Sequence, residues 1–329
     1  MGGKRGKRAA RRERILEVGA PLCVAPGTTV QLPGDFDPGE TVGVHRKRKG
    51  RALLDAAVPL ISDHQERLAA EERRSLLVIL QAIDAGGKDS TIRHVFSGVN
   101  PAGVRVRSFK QPTAEELAHD YLWRYRQNLP APGEIAVFNR SHYEEVLVVR
   151  VHPELLETRG LSPEGDLGAL WQERYRQINA WEHQLSEAGV RIVKLMLNIS
   201  KEEQRVRFLR RLDLPEKNWK FSASDIRERS HWDDYQRAFS EMISHTSTTW
   251  APWHVIPADH KWFGRLATAS IVLDALRAID PQIPEVGPAA QADLAAARAE
   301  LETEAPPGEP ADPAADLPGA EPPRGHASA

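Results

Sequence analysis

Little in this sequence invites cross-linking, membrane insertion or bulk electrostatic capture. The chain has 329 residues and one cysteine, Cys23. That excludes an intramolecular disulfide and suits a reducing, cytoplasmic setting. No apolar run approaches the roughly 20 residues of a membrane span, so no membrane partner is expected. The basic start has no apolar segment behind it, which argues against a secretory signal. A net charge of −2 gives no general reason to expect nucleic acid as a partner. The twelve histidines show no spacing of the H-E-x-x-H kind, so no histidine metal site is expected.

What is there is segregated. Lys4, Arg5, Lys7, Arg8, Arg11, Arg12 and Arg14 crowd the start, and residues 1–50 read as a basic, partly irregular arm. Such an arm is either a solvated tail or a polyanion contact. Residues 285–329 are rich in Ala, Pro, Glu and Gly and read as disordered, because they have too little apolar surface to offset ordering entropy. Between them lies one domain, 51–284. Short apolar runs predict strands at Leu76–Leu80, Val104–Phe109, Glu134–Phe138, Arg191–Leu197 and His254–Ile256. Helical spacing is predicted from Arg51 to Glu72 and at Ser90–Ser97, Thr113–Arg126, Tyr143–Val151, Leu167–Glu187, Lys201–Leu212, Ser224–Ile243 and Phe263–Ile279. Five strands separated by helix-length crossovers argue an α/β fold with a parallel sheet covered on both faces. In such sheets ligands bind at the carboxyl ends of the strands.

The first strand ends in Ala82-Ile-Asp-Ala-Gly-Gly-Lys-Asp-Ser-Thr91. A strand, a small-residue turn with Gly-Lys and a helix start form a phosphate cradle: turn N–H groups face the anion and the lysine adds a charge. The usual G-x-x-x-x-G-K-[ST] is altered, with Ala82 at the first glycine and Asp89 at the hydroxyl position. Asp84 inside the loop can hold magnesium beside phosphates or orient an attacking oxygen. Ala85, Gly86, Gly87, Lys88, Asp89, Ser90 and Thr91 are the expected phosphate contacts. The strand at Glu134–Phe138 delivers Asn139, Arg140 and Ser141 to the same edge. Arg140 suits a bidentate phosphate clamp, and Asn139 is a weak or water-mediated metal ligand. Ser141 with Glu144 also reads as a helix-capping box. Lys110 follows the second strand, so it is expected at the same edge as a further phosphate contact, and Thr113 with Glu116 caps the next helix. Arg207, Arg210 and Arg211 share a helical face, Pro215 breaks the helix, and Lys217 and Lys220 follow. Residues 205–235 therefore read as a cationic lid over a polyanion.

Taken in order, Leu80-Gln-Ala-Ile-Asp-Ala-Gly-Gly-Lys-Asp, His94-Val-Phe-Ser-Gly-Val-Asn-Pro, Ser108-Phe-Lys-Gln-Pro-Thr, Phe138-Asn-Arg-Ser-His-Tyr-Glu and Arg211-Leu-Asp-Leu-Pro-Glu-Lys-Asn-Trp-Lys-Phe-Ser resemble the polyphosphate kinase 2 family from about Arg51 to Pro284. Asn139, where many members have Asp, looks like the class III subgroup. The resemblance implies a three-layer α/β/α phosphate-loop kinase fold with a parallel five-stranded sheet and a helical lid. It implies phosphoryl transfer from inorganic polyphosphate to nucleoside mono- and diphosphates, and dependence on magnesium, with manganese as a substitute. It also implies a homodimer or homotetramer. Asp84, Lys88 and Arg140 match the family's catalytic positions. Arg210 or Arg211 matches the lid arginine, and Lys217 and Lys220 match lid lysines. The competing expectation is an ATP-dependent nucleoside monophosphate kinase of the thymidylate-kinase type, which would share the loop and the lid arginines.

Overall fold

The structure, a computed structural model, describes residues 2–219 and 221–305. Five strands form one sheet: β1 (Ser75–Gln81), β2 (Val104–Ser108), β3 (Ile135–Asn139), β4 (Val190–Asn198) and β5 (Trp253–Pro257). Their order is β2-β3-β1-β4-β5, and every neighbouring pair is parallel. Each expected strand is present, displaced by one residue at most at either end. β1 is buried along its whole length, which is why it reads as an unbroken apolar run rather than an alternation. The chain moves from β1 to one side through β2 and β3, then crosses to the other side for β4 and β5. That reversal places a crevice at the carboxyl end of β1.

The helices are α1 (Gly2–Gly19), α2 (Lys47–Glu71), α3 (Lys88–Val95), α4 (Ala114–Leu117), α5 (Trp123–Arg126), α6 (Val148–Val151), α7 (Leu167–Glu187), α8 (Lys201–Asp213), α9 (Pro215–Asn218), α10 (Ala223–Ser230), α11 (Trp232–Thr246), α12 (Lys261–Ile279) and α13 (Pro288–Thr303). One layer packs α1, α2 and α3 around α12, and the other groups α6, α7 and α11. α12 is apolar on nearly all sides because it is enclosed by β4, β5, α2 and α1.

Several expectations are corrected or sharpened. The expected helix Tyr143–Val151 is a 3-10 turn, His142–Val146, followed by α6, and the expected helix Ser224–Ile243 is broken at His231 into α10 and α11. The basic arm is irregular only in part: residues 23–46 have no helix or strand, but α1 occupies Gly2–Gly19, and Ile15 and Val18 are fully buried. Ser270 Oγ on α12 accepts from Gly19 N at 3.0 Å and donates to Ile15 O at 2.6 Å. Charge density over the segment hid this short apolar face. The expected helix 113–126 is two short helices, α4 and α5. Its capping box, Thr113 with Glu116, does form. Ser141 does not box with Glu144; its Oγ accepts from Tyr143 N at 3.3 Å and Gln81 Nε2 at 3.1 Å. Finally, part of the tail has helical geometry, since the Ala-rich Pro288–Thr303 is α13, with none of its residues buried. The expectation for residues 306–329 lies outside the described residues.

Contacts divide the chain into two units, Met1–Ile283 and Pro284–Ala329. Everything below concerns the first.

Candidate active site

The chain leaves β1 at Gln81, turns through 82–87 and enters α3 at Lys88. Two residues take left-handed backbone, Ala85 at φ 61° and Gly87 at φ 102°. A Cβ on Gly86 would lie 2.5 Å from Ala82 Cβ and 2.8 Å from Ile83 O, so the tight turn requires glycine there. Gly86 N donates to Ile83 O at 3.0 Å, and Thr91 N to Gly87 O at 3.0 Å. The loop is thus a closed hydrogen-bonded turn feeding a helix start. Lys88 Nζ donates back to Ala82 O at 2.7 Å, which holds the ammonium over the loop. Burial, then the Arg140 charge, lowers its pKa to about 8.

Arg140 follows β3 at φ 65°, a conformation that is strained for arginine. Its N–H donates to Leu80 O at 3.1 Å, binding it to β1. Its guanidinium reaches Asp84 Oδ1 at 2.5 Å and Glu144 Oε2 at 2.9 Å. The Glu144 charge is the main influence raising its pKa, so it stays charged. The structure therefore brings Asp84, Lys88 and Arg140 to one point. Asn139 Nδ2 donates to Asp89 Oδ1 at 2.7 Å and Ser108 Oγ at 3.2 Å, so the amide orients Asp89.

Two cavities meet here. The first, about 630 Å³, lies over the loop and is lined by Lys88, Lys110, Arg210, Arg211 and Lys217 among others. The second, about 590 Å³, has apolar walls from Phe109, Tyr125, Val148, Val149 and Leu155. Asp84, Phe109, Lys110 and Arg140 line both. Tyr235, on the second, donates to Glu228 Oε2 at 2.8 Å.

Arg207 departs from its expected role as a phosphate contact. It is 4 % exposed. Nη1 donates to Ala85 O at 3.0 Å and Gly86 O at 2.9 Å, Nη2 to Ala258 O and to Asp259 O at 3.5 Å, and Nε to Glu203 Oε1 at 2.7 Å. All five donors are used, so Arg207 braces the loop from behind. Arg211 is held toward Asp225 of α10 at 3.4 Å, whereas Arg210 projects into the loop cavity and its neighbour. Lys220 lies outside the described residues.

Sequence reading missed Arg93, Lys261 and Arg265, which line the loop cavity from α3 and α12. Arg265 Nη2 donates to Ser90 Oγ at 2.7 Å. The only sequence signal was Lys261 and Arg265 at helical i, i+4 spacing. It also missed a buried network behind Arg140. Lys194 Nζ on β4 donates to Glu182 Oε2 at 2.7 Å, Tyr143 OH at 2.8 Å and Thr246 O at 2.6 Å. Tyr143 OH donates to Glu182 Oε1 at 2.7 Å. Burial alone pushes Glu182 up, but Lys194 and His142 hold it below its usual value. The network anchors the turn that follows Arg140.

The described residues contain no group of three or more His, Cys, Asp or Glu that could hold a metal alone. A magnesium ion in a phosphoryl-transfer site commonly takes one or two carboxylates, with substrate oxygens and water completing its shell. Asp84 and Asp89, flanking the loop, fit that donor set. No helix among the described residues is long and apolar enough to cross a membrane.

The family model described as Polyphosphate kinase 2 matches residues 44–284. The ADP-polyphosphate phosphotransferase of Rhodopseudomonas palustris is 48% identical over 250 residues, covering 76% of this chain and 86% of that protein. The AMP/ADP-polyphosphate phosphotransferase of Meiothermus ruber is 47% identical over 253 residues, covering 76% and 90%. The crystal structure of Polyphosphate Kinase 2 from Arthrobacter aurescens TC1 superposes with a TM-score of 0.76 at 42% identity, covering 84% of this chain and 95% of that one. With a phosphate loop at the sheet's reversal point and a match running through the whole sheet, the chain belongs to the polyphosphate kinase 2 family.

Proposed function

We propose that the protein transfers phosphoryl groups from inorganic polyphosphate to nucleoside mono- and diphosphates, making ADP from AMP and ATP from ADP. The observation that carries this is the meeting of a cationic cavity and an apolar-walled cavity at Asp84 and Arg140. The first suits a polyanionic donor with no base. The second suits a nucleoside whose phosphates point at the junction. A phosphate oxygen of the acceptor attacks the terminal phosphorus of the chain. The P–O bond to the next phosphate breaks, and that bridging oxygen leaves with the electron pair, giving a polyphosphate one unit shorter. The attacking oxygen is already ionised near neutral pH, so no strong base is needed.

Lys88, Arg140 and the lid cations stabilise charge that spreads over the transferring oxygens. Asp84, held by Arg140, orients the acceptor, and Asn139 sets the direction of Asp89. Asp84 and Asp89 would hold magnesium, which supplies charge neutralisation across phosphate oxygens when bound. Assembly as a homodimer or homotetramer belongs to the same proposal.

The test supplies purified protein with magnesium, long-chain polyphosphate and either AMP or ADP, and measures ADP and ATP. Product in the wild type, lost in Lys88→Ala and Asp84→Asn, is expected. No product from polyphosphate, with ADP formed from ATP and a nucleoside monophosphate, would instead give the nucleotide-kinase reaction.

A further inference from the structure

Beside the loop cavity lies a third cavity of about 460 Å³ between α2, α8 and α12. It is lined by Lys47, Arg51, Arg210, Lys261 and Arg265, and it shares the last three with the loop cavity. Among the described residues, none of these five cations forms an ion pair. The two carboxylates on its wall are engaged elsewhere: Glu203 accepts from Arg207, and Asp259 Oδ1 accepts from Ser200 N at 2.8 Å. Arg265 Nε is buried with no hydrogen-bond partner among the described residues.

The fold forces these charges together. Gly50 on α2 lies against Trp262, where a Cβ would sit 2.2 Å from the ring. That close crossing sets the first turn of α2 beside the first turn of α12. Both turns lack acidic residues, and α2 begins with Lys47, Arg48 and Lys49. Cations at a helix N-terminus oppose the helix dipole, so the arrangement is unfavourable without an anion. Partial desolvation against the cavity wall, then the charges of Arg207, Arg210 and Arg265, brings the pKa of Lys261, whose side chain is otherwise exposed, down to about 8.

We propose that this third cavity is a distal subsite for the donor, binding phosphates of a long polyphosphate chain beyond those held by the loop, and that Lys47 and Arg51 thereby select for chain length. This rests on the polyphosphate reading above. The path runs from Lys88 past Ser90 and Arg265 to Arg51 and Lys47. A donor of a few phosphates ends over the loop; a longer one continues between α2 and α12.

The test is the double variant Lys47→Ala/Arg51→Ala, whose two side chains are exposed and stand apart from the reacting groups. With long-chain polyphosphate and ADP, KM for the donor should rise about five-fold at low salt, less at high salt. KM for linear tetraphosphate and kcat should stay at wild-type values. A long-chain KM that does not move, or one that moves equally for tetraphosphate, overturns the subsite. A rise in KM for ADP instead would make the cavity a nucleotide site and also overturn it. Calorimetric binding of long-chain polyphosphate to wild type and variant separates the two readings. If the wild type binds more tightly but turns nothing over, the catalytic reading fails and the subsite stands. Equal affinity refutes the subsite whatever the turnover.

Discussion

Replacing Arg207 with methionine should damage folding more than it damages a ligand contact. Its guanidinium holds the carbonyls of Ala85, Gly86 and Ala258 and the carboxylate of Glu203. Methionine fills similar space but donates nothing. A buried acceptor left without a donor costs about 1–3 kcal/mol, and the three carbonyls together would reach several times that if nothing moved. Water entry and side-chain adjustment reduce the sum, which leaves roughly 3–5 kcal/mol, the range for breaking a buried charged contact. For a domain of this size that lowers Tm by on the order of 10 °C. Urea denaturation and a thermal melt read it directly. Lysine restores the charge with three donors in the wrong arrangement, so Arg207→Lys should recover less than half. Should Arg207→Met keep wild-type stability within about 0.5 kcal/mol while KM for polyphosphate rises, the residue presents its donors to substrate and the bracing argument is wrong.

Two further outcomes are expected. With the Lys88 pKa at about 8, kcat/KM for polyphosphate should fall as pH rises through that value. Between about 8 and 10.5 the folded state binds fewer protons at Lys88 than the unfolded state, so this group makes stability rise with pH. The loss of rate in that window is therefore not unfolding. In Lys88→Arg the limb should move to higher pH; a limb that stays assigns it elsewhere, Lys261 being the first alternative. In the buried network, Lys194→Met should destabilise by roughly 3–5 kcal/mol because Glu182 is left charged and unpaired. Lys194→Met combined with Glu182→Gln should recover part of that loss in a double-mutant cycle, and strict additivity of the two changes would disprove the coupling.

Most of the sheet was legible because its inner strands are buried on both faces, whereas the exposed edge strand β2 had only its Val104 and Val106 alternation to mark it. β1 is one apolar run, and β3 another, so period and length together identified them without tertiary information. The loop was legible because its glycines and lysine are contiguous and the chemistry is local. Helix boundaries between β2 and β3 were not, because α4 and α5 are interrupted by a turn at 118–122 that no Gly or Pro marks. α1 was hidden by its own charge: Arg11, Arg12 and Arg14 surround the two residues that pack. The most instructive miss is Arg207. It sits at helical spacing from Arg210 and Arg211, and spacing put all three on a ligand face. Its actual orientation is set by four carbonyls and a carboxylate supplied from the phosphate loop, from β5's end and from α8 itself. No local pattern reports that.

The same distinction governs the cations of the whole site. A net charge of −2 conceals two populations. Arg207, Arg174 and Lys194 are buried, and their donors go to protein acceptors; Arg174 donates to both Glu145 O and Glu145 Oε2 at 2.8 Å. Lys110, Arg210, Lys217 and Lys261 are exposed around the cavities and form no ion pair among the described residues. The second population has donors left for a substrate, and there like charges stand close together with no carboxylate paired to them among the described residues. Crowding of that kind raises the free energy of the unliganded protein, and an incoming chain of phosphates relieves it. Binding to such a surface requires no recognition of shape beyond a groove, which suits a donor whose units are all alike. In the proposed reaction, recognition of shape falls to the apolar-walled cavity beyond Arg140. The two requirements of the proposed reaction, capture of a uniform polymer and positioning of a particular small molecule, are thus met by chemically different walls that touch at Asp84 and Arg140.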